Sequence, residues 1–162
     1  MTKVPTLFLT LEHIKDICFI LAQEYLSFNE PIPDFDTRFP NKLEAILEIP
    51  KQGVKTHLLY PAIIEQSGVL FYSLIKEHPF LNGNKRLAVT CFLTFLHLNK
   101  LWLKTDWKTL YGLTIFIANS DPSDREKVLK ALNQFIQDSI MRQPKTAGLN
   151  HKPSDPYYIR LI

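Results

Sequence analysis

The nine residues His78-Pro79-Phe80-Leu81-Asn82-Gly83-Asn84-Lys85-Arg86 place a base, a turn and two cations within one short stretch. Asn82-Gly83 permits positive φ angles and close backbone approach. Successive N–H groups in such a turn form a concave nest for an anion. An apolar helical pattern follows from Asn84, and its unpaired first-turn N–H groups and dipole point positive charge at the same spot. Lys85 and Arg86 add two cations there, each at a local cost of about 0.3–1 kcal/mol. That cost is expected where the helix start receives an anion, and phosphate is the obvious one. His78, at the other end of the loop, is the side chain whose ordinary pKa suits proton abstraction near neutrality. A base beside a phosphate cradle suggests transfer of a phosphorus-containing group to a hydroxyl, a reaction that depends mainly on positioning and charge stabilisation. Phe80 is the apolar anchor of the loop. Singly, a terminal His is usually a cap, Asn-Gly a turn and Lys-Arg a solvated face. Their joint spacing is what points to a site.

The elements that must hold this loop read as helices nearly throughout. Thr10 is placed to cap a first helix to about Tyr25, with Leu11, Ile14, Ile17, Cys18 and Leu21 on one face. Residues 27–39 read as an irregular loop. Pro40 suits the first turn of a short helix through about Leu47. Lys51 to Thr56 is either a plain turn or a small β-hairpin flap, which an extended target segment would pair with. Long helices are expected from about Tyr60 to Glu77 and from about Asn84 to Leu98, on either side of the loop. Asp106 caps a helix to about Asn119. Ser123 and Glu126 have capping-box spacing for the last, whose apolar positions run from Val128 to Ile140. The sum is six helices and no firm strand: an all-α bundle over residues 1–142, followed by a tail at 143–162. That tail is polar and Pro-bearing, then apolar from Tyr157 to Ile162, which suits docking on its own domain or on a partner.

The chain's 162 residues suffice for one domain with a real core. A net charge of +3 and no basic cluster beyond Lys85-Arg86 argue against direct nucleic-acid binding. The two cysteines, Cys18 and Cys91, lie far apart in apolar stretches, which argues against a disulfide framework or a zinc site and fits a reducing cytoplasm. No apolar run reaches the roughly 20 residues a membrane span needs, and the N-terminus does not read as a secretory signal. His13, His57, His97 and His151 lack partners at metal-ligand spacing and read as structural or surface histidines. Trp102, Trp107, Tyr111 and Phe116 read as core or helix-packing aromatics.

The loop resembles the signature of the Fic/Doc family, H-x-F-x-[D/E]-[G/A]-N-[G/K]-R, meeting six of its seven specified positions. At about 5% usage per residue type, chance gives such a match roughly once in 10⁷–10⁸ starting positions. The helical layout is similar from about residue 8 to 140, and Phe35-Asp36-Thr37-Arg38-Phe39-Pro40-Asn41-Lys42-Leu43-Glu44 resembles the segment before the flap in Doc-type members. The resemblance implies a six-helix Fic/Doc-type bundle that binds ATP with Mg. It implies His78 as the general base that activates a hydroxyl of a target protein. Gly83, Asn84 and Arg86 would form the anion cradle, with Arg86 on the phosphates. Asn82 stands where the family has a magnesium-holding acid. Lys85 is the variant of the Doc branch, in which the nucleotide binds in the reverse sense and the γ-phosphate faces the base. That branch implies a death-on-curing toxin that phosphorylates elongation factor Tu and is neutralised by a cognate antitoxin.

Two departures bear on this reading. The neutral Asn82 gives up the charge that a hard cation prefers. Val89 stands where AMP-transferring members carry a second Arg, which, with Lys85, points away from AMP transfer. The rivals left open are nucleotidyl transfer to a protein hydroxyl and a catalytically weak partner-binding module, favoured by Asn82. The self-inhibitory helix motif of many Fic proteins is not met: Ser73 to Glu77 runs straight into His78.

Overall fold

Two helices buried on all sides through their middle turns make the centre of the fold. The computed structural model describes residues 5–26 and 30–143. Helix α4 (Ile63–Glu77) is buried from Gln66 to Ile75, and α5 (Asn84–Leu98) from Leu87 to Leu96. They pack side by side, with Phe71 and Phe92 stacked at 4.6 Å. A helix buried all round has no polar face to offer solvent, so it must be surrounded.

The surrounding elements do this in chain order. Leu11–His13 (α1), a π-helical stretch Ile14–Phe19 and Ile20–Leu26 (α2) run on as the first helix. Thr10 caps it as expected: its hydroxyl accepts the His13 N–H, and the His13 ring accepts the Thr10 N–H. The first helix buries Ile14, Cys18, Phe19 and Ala22 against α5. Short α3 (Lys42–Glu48) lies on α4. Helix α6 (Trp107–Asn119) is capped by Asp106, whose carboxylate accepts the Thr109 N–H at 2.9 Å. Its C-terminus is held by Lys76, which donates to the Ser120 carbonyl at 2.6 Å, a cation at the negative end of the dipole. Helix α7 (Arg125–Ser139) lies along α4. There Gly68 permits the approach, since a Cβ would strike the Asn133 side chain.

Several expectations are corrected. Among the described residues there are two short antiparallel strand pairs. One is the anticipated flap, β1 (Gly53–Val54) with β2 (His57–Leu58). The other, β3 (Leu101–Leu103) with β4 (Ile140–Arg142), was not expected. Helical spacing extends α7 through Ile140, but α7 stops at Ser139 and Ile140 pairs with Leu103. Pairing between distant segments overrides local periodicity there. Pro40 lies before α3, whose N-cap is Asn41 at φ 61°. Ser123 is not a cap: it lies inside the 3-10 turn Pro122–Asp124, and Asp121 accepts its N–H. Trp107, Tyr111 and Phe116 are not core residues. They face outward on α6, Tyr111 at 54% exposure, while Leu110, Thr114 and Ile117 turn inward. His151 and the segment 157–162 lie outside the described residues.

Candidate active site

The loop between α4 and α5 starts with a forced reversal. His78 ends α4 in the left-handed region, at φ 47° and ψ 66°, a conformation that costs an L-residue roughly 1–2 kcal/mol. Pro79 follows and cannot continue a helix. His78 is exposed to solvent. Gly83, at φ 78°, is the N-cap of α5 and turns the chain back. A Cβ at Gly83 would lie 3.1 Å from Ile32 and 3.5 Å from the Arg86 Nη2 atom, so glycine is required by both backbone and space.

Between these two reversals the loop is clamped. The Asn84 amide accepts the Phe80 N–H at 2.9 Å and donates to the Phe80 carbonyl at 2.8 Å. Phe80 itself is 4% exposed and meets Phe19 and Phe35 at ring distances of 6.0 and 6.3 Å. Phe19 and Phe35 meet edge to face at 5.7 Å. Aromatic contacts of this kind add to burial and fix orientation. The expected role of Phe80 as anchor is what the packing provides.

A second layer holds the loop from the Phe35–Glu44 side. The Phe39 N–H donates to the Pro79 carbonyl at 3.0 Å. Arg38 lies 4.4 Å from the centre of the Phe35 ring and donates to Glu44 at 2.9 Å. That bond is the main reason the Glu44 carboxyl is held below its ordinary pKa. Sequence reasoning saw the segment but not this geometry. The signal for the segment was its resemblance to the Doc-type lead-in.

The start of α5 is where the sequence places the anion cradle. The first-turn N–H groups of Asn84, Lys85 and Arg86 precede the first helical bond, from Leu87 N–H to the Gly83 carbonyl at 2.9 Å. Lys85 is exposed. Arg86 uses Nη1 to reach the Leu26 and Glu30 carbonyls, at 2.9 and 2.6 Å, while Nη2 lies beside Gly83. Arg86 thus ties the end of α2 to the cradle. Val89 is 5% exposed within the core, so the position of a second arginine is here an apolar contact.

Magnesium fits the chain's own donors poorly. The Asn82 side-chain oxygen is neutral and already accepts the Gly83 N–H at 2.6 Å. No group of three His, Cys, Asp or Glu able to hold a metal occurs among the described residues. Hard cations prefer several oxygens, carboxylates above all. The other histidines are structural or peripheral where described. His13 serves the first cap, His57 sits on the exposed flap, and His97 meets Gln143. An open groove of about 640 Å³ between α4 and α7, lined by Tyr60, Glu65, Arg125 and Asn133, starts near the opposite end of α4 from His78.

A family profile described as "Fic/DOC family" matches residues 8–96, more than half of the chain. The protein named "Toxin Doc" of Mycolicibacterium smegmatis (strain ATCC 700084 / mc(2)155) is 34% identical over 65 residues. That match covers 40% of this chain and spans half the length of that curated relative. No solved structure matches. The profile takes in the first helix, the Phe35–Glu44 segment, the flap and the whole clamped loop.

Proposed function

This chain belongs to the Fic/DOC family, and from that premise we propose that it is a Doc-like toxin of a toxin–antitoxin pair acting in the cytoplasm. Its reaction is transfer of the γ-phosphate of ATP to a hydroxyl of a target protein, with elongation factor Tu the target that the family resemblance suggests. The observation that supports a transferase is the clamped loop itself. It holds an exposed His78 at one end and the unpaired first-turn N–H groups of α5 at the other, with Phe80 packed in the core between them.

His78 takes the proton of the target hydroxyl, whose oxygen bonds to the γ-phosphorus as the bond from that phosphorus to the β,γ-bridging oxygen breaks and ADP leaves. The α5 N–H groups and the side chains of Lys85 and Arg86 balance the phosphate charge as it shifts. Lys85 supports phosphate over AMP transfer: it adds bulk and charge beside the cradle, so the phosphate chain must sit differently than over a glycine. The buried Val89 favours the same choice, because it offers no second guanidinium. The chain's own donors at Asn82 do not suit Mg²⁺; a magnesium ion brought with the nucleotide would supply neutralisation of phosphate charge. A cognate antitoxin is the proposed restraint on the activity.

The test is transfer from ATP labelled either at the γ- or at the α-phosphate to purified elongation factor Tu and to a lysate. Label from the γ-position alone supports the kinase reading. Label from the α-position means AMP transfer. The second reading, a partner-binding module, rests on the occupied Asn82 oxygen, and it predicts no label from either position.

A further inference from the structure

Arg38 and Glu44 form an ion pair unlike the others among the described residues. Arg38 donates from Nη2 to Glu44 Oε1 at 2.9 Å, and the two side chains are only 20% and 34% exposed. Arg38 Nη1 lies 3.6 Å from the exposed Asp36 carboxylate. The same guanidinium sits 4.4 Å from the centre of the Phe35 ring. Arg38 Nε and Glu44 Oε2 are buried and take no hydrogen bond among the described residues, so the pair depends on its Nη2 bond. Lys51–Glu48 and Lys127–Asp124 instead join exposed neighbours three positions apart, and such pairs contribute little. A flat guanidinium that stacks on one group and bonds to another fixes both, which an ammonium cannot do.

The segment that Arg38 braces touches the two residues that follow His78. The Phe39 N–H donates to the Pro79 carbonyl at 3.0 Å, and the Phe35 ring meets the Phe80 ring at 6.3 Å. His78 is exposed, so packing does not fix its ring, and the ring takes no hydrogen bond among the described residues. Its direction therefore follows its backbone, which stands at φ 47° and ψ 66°. A left-handed L-residue persists only where its surroundings over-determine it.

We infer that Arg38, braced by Glu44, is a positioning residue for His78: it holds Phe35 and Phe39, and these hold Pro79 and Phe80 in the backbone path that aims the base. The inference rests on the reading of His78 as the base of the transfer. Arg38 itself touches neither nucleotide nor target hydroxyl. Loss of the guanidinium leaves the Glu44 carboxylate without its partner and Phe35 without its cover, and the turn after His78 loosens. A base displaced by about 1 Å costs on the order of 10²-fold in rate. The cradle end of the loop has ties of its own, from Arg86 to the Leu26 and Glu30 carbonyls. Nucleotide binding is therefore spared while the chemical step slows.

The test uses the full chain and Arg38→Lys, which keeps the charge and loses the flat face, at a temperature where circular dichroism shows both folded. Glu44→Gln takes its place if Arg38→Lys does not fold. Two readouts are taken. In the transfer assay, kcat is expected to fall at least about tenfold, with KM for Mg-ATP within about threefold of wild type. In carbon–proton NMR spectra of the histidine rings, the His78 signals, assigned by their loss in His78→Ala, are expected to shift or broaden. Those of His13 and His97 are expected to stay in place. Unmoved His78 signals in the folded variant would overturn the inference, whether or not the chain transfers phosphate. So would a kcat within twofold of wild type, or a loss confined to KM. Moved His78 signals in a chain whose wild type transfers nothing would support the positioning role and count against the transferase reading alone.

Discussion

At the scale of single residues, backbone conformation explains more of the site than charge does. His78 and Gly83 both have positive φ, and the loop between them exists because the chain reverses at each. Gly83→Ala is expected to destabilise the fold by about 1–2 kcal/mol from the left-handed backbone alone, with more from the Ile32 contact. A urea titration at neutral pH checks this, and an unchanged midpoint would refute it. Asn82 and Gly83 were legible in sequence as a turn, and Lys85-Arg86 as an unusual pair at a helix start. The work of Asn84 was not legible. As a residue type it suits an anion cradle, but both ends of its amide are engaged with the Phe80 backbone. Only the fold reveals which of two polar partners a side chain takes. The same holds for Arg86, whose Nη1 grips carbonyls 56 and 60 positions away in sequence.

At the scale of elements, the loop stands on an aromatic cluster drawn from three separate segments. Phe19 comes from the first helix, Phe35 from the lead-in and Phe80 from the loop. Phe80→Ala is expected to cost about 3–5 kcal/mol and to reduce transfer even where the variant remains folded. Calorimetry beside an activity assay separates the two effects. The ends of α5 were readable in sequence because a glycine precedes it and its pattern is continuous. The β3–β4 pairing was not, since Leu101 and Arg142 meet only after α6 and α7 have folded back. Nor does helical spacing tell which face of an element turns inward. Trp107, Tyr111 and Phe116 are large apolar side chains, yet Leu110, Thr114 and Ile117 took the inward face.

At the scale of the whole molecule, stability depends on acid-sensitive contacts spread over the surface. The Arg38 bond lowers the Glu44 carboxyl below 4.5. Bonds from Thr109 and Ser123 lower Asp106 and Asp121 below 3.8. The folded state therefore binds fewer protons than the unfolded chain in this range, and stability falls as pH drops through those values. The thermal midpoint is expected to be flat down to about pH 5 and to fall below it. Glu44→Gln should be less stable than wild type near neutral pH, with the difference shrinking in acid. A series of melts over pH checks the sign. Among the described residues no helix is long and apolar enough to cross a membrane, and the modest charge leaves recognition of any target to shape and local contacts.

The proposed reaction depends on His78 as the base that lets a target hydroxyl accept a phosphorus-containing group. The most direct measurement is incubation of the purified chain with a bacterial lysate and ATP, beside His78→Ala, followed by intact-mass and peptide mass spectrometry. His78 is exposed, so the variant should fold as wild type does, while transfer falls by at least about 10²-fold. The expected result is a gain of one phosphate mass on a target hydroxyl in the wild-type sample alone. An equal gain with His78→Ala, or no gain in either sample, would contradict it.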